Sequence, residues 1–267
     1  MLSHASQFLS QLAHSNAVLV LVQATRGSVP RGAGTWMGVF PNALVATIGG
    51  GRLELDAIAH AREMAYRPGG METRRFSLGP SLGQCCGGEV ELRFECVGAA
   101  DALALAPRLE EKKFPVALFG GGHVGTALAK ILSALPIDVT WIDSRDEIFP
   151  NEVQSGIRCE HSNPVHAAVA DLVPQSRILI MSFSHAEDLD IVAACLLRQR
   201  AKADLPFIGL IGSKTKWATF QHRLEAKGFT PEELAHVSCP IGIDGINDKR
   251  PEVIAVSVAA QLLRIAV

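Results

Sequence analysis

The sequence predicts an α/β chain: a small N-terminal α/β domain over residues 1–98, a connector over 99–113, and a doubly wound parallel-sheet domain over 114–267. Three observations predict it. Short apolar runs of strand length alternate with amphipathic stretches of helix length. Residues 116–143 read strand, glycine loop, helix, strand and terminal acid, the order of a dinucleotide fold. The 267 residues are 48% hydrophobic and 19% charged, which is enough apolar material for two cores.

The same totals exclude several classes. A formal net charge of −2, with no basic run interleaved with aromatics, argues against a nucleic-acid binder. Of the six cysteines, Cys85 and Cys86 are adjacent, while Cys96, Cys159, Cys195 and Cys239 stand singly. That pattern is unlike a secreted disulfide framework and points to a reducing compartment. The first sixteen residues lack a basic n-region, and the apolar run 17–22 is too short for a secretory h-region. No stretch approaches the roughly 18 apolar residues of a membrane span. A soluble, cytoplasmic protein without a membrane partner is expected.

Along the first half, Phe8, Leu9 and Leu12 recur at helical spacing, and residues 17–23 form a buried strand. The loop 25–34 follows, with glycines and the two guanidinium groups of Arg26 and Arg31, natural forks for phosphate or carboxylate. As a lone feature it equally suits a polar hairpin loop. A strand over 44–48 leads through Gly49, Gly50, Gly51 and Arg52 into a helix over 53–66. Leu53, Ala57, Ile58, Ala61 and Met64 are its core stripe. A glycine loop entering a helix beside an arginine is a ready anion site, whereas Glu54 in the first turn suits a capping role. Residues 74–78 form a strand that leads into Gly83-Gln84-Cys85-Cys86-Gly87-Gly88. Adjacent thiols are poor partners for one disulfide. They fit soft donors to a metal, thiolates in sulfur exchange, or small buried hydrophobes in a turn. Val90, Leu92 and Phe94 then alternate with charges as in a half-buried strand. Three glycine-rich loops thus punctuate this half. If they converge, they suit an anionic ligand with a sulfur-seeking centre.

The alanine- and charge-rich connector 99–113 is expected to be partly helical. The strand 116–119 runs into Gly120-Gly121-Gly122-His123-Val124-Gly125. Gly120 permits the tight turn, Gly122 the approach of a pyrophosphate, and Gly125 close packing of helix on strand. Asp143, about twenty residues on, stands where it can accept ribose hydroxyls and favours an NAD-like dinucleotide over a 2′-phosphorylated one. The strand 177–183 ends at Ser184-His185, so His185 either touches ligand or merely starts a helix. Residues 207–211 lead into Gly212-Ser213-Lys214-Thr215-Lys216, where Ser213 caps a helix and the lysines face an anion or water. Cys239 lies in a sheet-edge turn, as a third functional thiol or as packing. Pro251 opens the last helix.

Taken together these residues resemble the xanthine dehydrogenase accessory proteins of the XdhC/CoxI type, over nearly the whole chain. The resemblance rests on T-x-G-S-x-P-R at 25–31, I-G-G-G-x-L-E at 48–54, and G-Q-C-C-G-G at 83–88. Gly120 to Gly125, G-L-I-G-S-K-T-K at 209–216 and the 239–242 turn extend it. Trp217 departs from the family's usual basic residue, at a position read as a surface contact. The resemblance implies a chaperone, not an enzyme, that binds the molybdenum cofactor (molybdopterin) as cargo. It implies support of cofactor sulfuration with a cysteine desulfurase, then delivery to apo-xanthine dehydrogenase. Cys85 and Cys86 would contact the molybdenum or pass sulfur, with Gln84 beside them and Arg26, Arg31, Arg52 and the glycine loop at the phosphate. A homodimer is expected. The rival reading is an NAD-dependent oxidoreductase built on the second half, which leaves the paired thiols idle. A third treats that half as a docking scaffold.

Overall fold

The computed structural model describes residues 3–65, 70–78, 87–153 and 156–265. The chain divides into two compact units, Met1–Glu111 and Lys112–Val267.

The first unit is built on an antiparallel sheet of β1 (Ala17–Arg26), β2 (Trp36–Val39), β3 (Leu44–Ala46), β4 (Met71–Ser77) and β5 (Glu89–Val97), in the order β3-β2-β1-β5-β4. Helices α1 (His4–Leu12) and α3 (Ala102–Leu109) cover one face, and α2 (Gly51–Met64) covers the other. This explains why 17–22 is a continuous apolar run and not an alternating one. Val18, Val20 and Val22 pack with Leu53, Ala57 and Ala61 of α2, while Ala17 and Leu19 pack with Phe8 and Leu12 of α1. Each such fully buried side chain contributes about 1.5–3 kcal/mol of transfer free energy. The α1 start is capped, with Ser3 Oγ accepting from the Ser6 N–H at 3.1 Å.

Two expectations change here. The strand β2 lies in a stretch left unassigned from sequence, because four residues behind a glycine-rich loop give too short a pattern. The stretch read as a connector is mostly α3, and its Leu105 and Leu109 are buried beside Phe8. It belongs to the first unit's core, so the division falls between Glu111 and Lys112.

The second unit is an all-parallel sheet of β6 (Phe114–Phe119), β7 (Ile137–Asp143), β8 (Ile157–His161), β9 (Arg177–Ile180), β10 (Phe207–Leu210) and β11 (Val237–Ser238). Its order, β11-β10-β9-β6-β7-β8, is that of a dinucleotide-binding sheet, with the chain reversing direction across the sheet between β6 and β9. Helices α4 (His123–Leu132) and α8 (Pro251–Ile265) pack on one face through Leu128, Leu132, Val258 and Leu262. On the other face lie α5 (His185–Lys202), α6 (Lys214–Glu225) and the short α7 (Pro231–Leu234). Ligands in such sheets bind outside the strands' carboxyl ends at the reversal, so the loops after β6, β7 and β9 are the ones to inspect.

Candidate functional site

In the first unit the glycine loops converge as far as they are described. The 27–31 loop is the hub. A Cβ added at Gly88 would strike the Ser28 carbonyl oxygen and stand 2.8 Å from that of Arg26. One added at Gly49 would come within 2.8 Å of Pro30 Cβ and 3.2 Å of Arg31 Cγ. Only glycine lets the three backbones pack this closely. The Gly83–Gly88 segment therefore ends against Arg26–Ser28, and the Gly49 turn rests on Pro30–Arg31. Gln84, Cys85 and Cys86 themselves lie outside the described residues.

The Gly49-Gly50-Gly51 turn differs from the expected anion cradle. All three glycines have positive φ, at 122°, 74° and 69°. The amides of Gly49 and Gly50 are turned toward protein acceptors. Glu54 Oε2 accepts from the Ile48 N–H at 3.0 Å, the Gly50 N–H at 3.1 Å and the Thr47 hydroxyl at 2.5 Å. Thr47 Oγ1 in turn accepts from the Gly49 N–H at 3.1 Å. Glu54 thus staples the turn as a cap, and the Gly49 and Gly50 amides are spent. Arg52 pairs with Asp56 at 2.8 Å on the α2 surface. Arg26 and Arg31 are exposed and, among the described residues, enter no ion pair. Beside Arg26 a crevice of about 60 Å³, lined by Arg75, Glu89 and Glu91, has room for little more than a water. A wider cavity of about 220 Å³ sits near the opposite end of β5, where Glu95 is held by Arg93 and Arg108.

At the carboxyl edge of the second unit, Gly120 and Gly125 make the tight turn and the close packing expected of them. Gly120, at φ 118°, would collide through a Cβ with the Met181 carbonyl, and Gly125 with the Gly120 carbonyl. A Cβ at Gly122 would meet nothing within 4 Å. No side chain caps the α4 start at Gly122, whereas Ser184 caps α5 and Ser213 caps α6. An open glycine at an uncapped helix start is where a phosphate can approach backbone N–H groups.

Asp143 is placed at that edge but turned inward. Oδ2 accepts from the Gly121 N–H at 2.6 Å and Arg145 Nη2 at 2.9 Å, and Oδ1 from Arg145 N and Nε, both at 2.9 Å. Those four donors use the acceptor positions a carboxylate has, so ribose hydroxyls find none free in this state. Burial opposes ionisation, but the hydrogen bonds from Arg145 and Gly121 outweigh it and hold the Asp143 carboxyl below its usual range.

The remaining candidates have structural surroundings. His185 is the exposed first residue of α5, its ring edge-on to Phe220 at 6.4 Å. Lys216 is taken up by the protein's own groups; its Nζ donates to the Asp188 carboxylate at 2.6 Å and to the Ile211 carbonyl at 2.9 Å. Asp188 also accepts from the Ser182 amide and hydroxyl. Burial pushes the Cys239 thiol up to about 11, against the nearby Lys216 charge, and the Cys195 thiol up to about 12. Neither is an activated nucleophile. Trp217 packs against the core under α6, so its side chain is more than a surface contact.

Residues 116–262 match the family model described as the XdhC Rossmann domain. The chain belongs to the XdhC family. Residues 11–77 also match the model of the XdhC and CoxI family, which spans the Arg26–Arg31 loop and the Gly49–Gly51 turn. The uncharacterized protein YqeB of Escherichia coli K12 is 26% identical over 264 residues. That alignment takes in 96% of this chain but 45% of YqeB, so the chain spans less than half of that relative's length. A crystal structure described as a xanthine dehydrogenase from Bacillus halodurans superposes with a TM-score of 0.81 at 19% identity, over 99% of this chain and 96% of that one. At that identity the likeness establishes the fold. A Rossmann-fold NAD(P)-binding family protein of Shigella flexneri, at 17% identity over 55% of this chain and 85% of its own, has a TM-score of 0.36, too low to argue from.

Within this XdhC chain, sequence reading passed over Arg145. Its only sequence signal is a basic residue two positions after the strand-end acid.

Proposed function

We propose that this XdhC-family chain serves the maturation of a xanthine dehydrogenase, holding the molybdenum cofactor while it is sulfurated and then delivering it to the apoenzyme. It is a carrier, not an enzyme. A cysteine desulfurase supplies the sulfur, and the chain works as a homodimer in the cytoplasm. The supporting observation is the packing of Gly88 and Gly49 against the loop of Arg26 and Arg31, two exposed guanidinium groups that enter no ion pair among the described residues. Molybdopterin presents a phosphate and a sulfur-ligated metal. Arginine forks suit the first, and the adjacent thiols Cys85 and Cys86 suit the second. Because the Gly49 and Gly50 amides are consumed by Thr47 and Glu54, the phosphate is held by Arg26 and Arg31, and Arg52 stays with Asp56.

The test is retention. The full chain, incubated anaerobically with molybdenum cofactor and desalted, is assayed for pterin fluorescence. Wild type and Gly122→Asp should keep the cofactor, and Cys86→Ser should lose it. Undiminished retention by Cys86→Ser refutes the reading.

One observation favours a second activity in the same chain: the open Gly122 at the uncapped α4 start. The second unit binds a dinucleotide of the NAD class there. NADH fluorescence titration should show binding that Gly122→Asp removes; a flat titration for wild type ends this reading and, with it, the oxidoreductase alternative.

A further inference from the structure

Arg145 makes two contacts with one planar group. Its guanidinium donates through Nε and Nη2 to the two oxygens of Asp143. Its Cζ also lies 4.5 Å from the centroid of the Phe183 ring. Phe183 is 67% exposed, so its ring is open to solvent beside the guanidinium. Asp143 ends β7 and Phe183 follows β9, so the two flank the point where the sheet order reverses. In a dinucleotide fold, that corner receives the nucleoside: the strand-end acid takes ribose hydroxyls, and an aromatic face can stack a base. A guanidinium is planar and carries paired donors, so it satisfies both surfaces at once.

We propose that Arg145 is a built-in competitor for the nucleoside corner formed by Asp143 and Phe183, displaced by a nucleotide with free ribose hydroxyls. This rests on the dinucleotide reading of the second unit. Binding exchanges one set of donors on Asp143 for another and one planar partner on Phe183 for another, so the self-contact lowers affinity without distorting the site. The corner also selects the ligand. Glu187, which accepts from Ser144 Oγ at 2.6 Å, adds a second carboxylate beside Asp143. Once Arg145 leaves, two negative charges face the 2′ position and oppose a 2′-phosphate.

Equilibrium titrations of the full chain with NADH, AMP and NADPH test this. Arg145→Ala should bind NADH and AMP about tenfold more tightly than wild type, since a bidentate charge-assisted contact no longer competes. It should also prefer NADH to NADPH by about tenfold. If Arg145→Ala does not fold, Arg145→Lys serves. Lysine can neither bridge both oxygens nor lie flat on the ring, and about threefold tightening is expected. Unchanged or weaker NADH binding in the variant, with wild type binding, overturns the competitor role and leaves the dinucleotide reading standing. NADPH binding as tight as NADH overturns the ligand class. No NADH or AMP binding by wild type up to about 1 mM removes the dinucleotide reading and this proposal together.

Discussion

The two units solve the same local problem, a glycine turn running from a strand into a helix, in opposite ways. In the first, the Gly49–Gly51 turn spends the Gly49 and Gly50 amides on Thr47 and Glu54, while Arg26 and Arg31 of the adjoining loop enter no ion pair among the described residues. In the second, the Gly120–Gly122 turn leaves its helix start open, while the neighbouring cations Arg145 and Lys216 are paired with Asp143 and Asp188. The same sequence feature therefore leaves exposed side-chain charge beside the turn in one place and an uncapped helix start in the other. What differs is which amides the protein has claimed: Thr47 and Glu54 take those of Gly49 and Gly50 in one turn, whereas in the other Asp143 takes that of Gly121 and the helix start at Gly122 carries no side-chain cap.

The comparison can be broken by substitution, most severely at the buried pair. Lys216→Met strands Asp188, whose side chain is 3% exposed. Urea unfolding should show a loss of about 3–5 kcal/mol. A loss under about 1 kcal/mol would mean the pair is not what ties α5 to α6. Next comes a contrast within one turn. Gly120→Ala combines left-handed strain with a clash on the Met181 carbonyl and should cost about 3 kcal/mol. Gly122→Ala, with open space before it, should stay within about 0.5 kcal/mol. Equal costs at the two positions would remove the argument that Gly122 is kept for a ligand.

Asp143 sharpens the account through pH. Its folded pKa is depressed, so its contribution is complete above the unfolded value near ~3.9 and is lost as pH falls through the folded value. Urea midpoints followed from about pH 6 to about pH 2 should fall less steeply for Asp143→Asn than for wild type. Parallel curves would contradict the assignment. The smallest effect belongs to Arg52→Ala. Its exposed i,i+4 pair with Asp56 should be worth no more than about 0.5 kcal/mol.

The glycine pattern at 120–125 was legible in the sequence because two of its positions are steric: Gly120 and Gly125 forbid a Cβ for a reason that spacing along a strand–turn–helix reveals, while Gly122 faces open space. The doubly wound parallel class of the second unit was legible from its strand–glycine loop–helix–strand order, and the core stripe of α2 from periodicity. Other features were not. Asp143 can be placed at a strand end from sequence, but its partners cannot, because Arg145 folds back onto it only once β7 and the Gly120 turn are side by side. Lys216 reads as a surface lysine until Asp188, on another helix, is brought to it. The convergence of the glycine loops is a matter of long-range strand pairing, since Gly88 follows β4 by chain but lies against Arg26 at the end of β1. No local pattern encodes that distance. The connector misled for a related reason, because an alanine-rich stretch shows its burial only when α1 is there to receive Leu105 and Leu109.

The most direct test of the central claim is equilibrium binding of molybdenum cofactor to the double variant Arg26→Ala/Arg31→Ala beside Arg52→Ala. The account predicts that the double variant loses at least about tenfold in affinity, two charge-assisted forks having been removed from the phosphate. Arg52→Ala should bind as wild type does. Equal affinity for the double variant and wild type would contradict the claim that the loop guanidinium groups hold the cofactor.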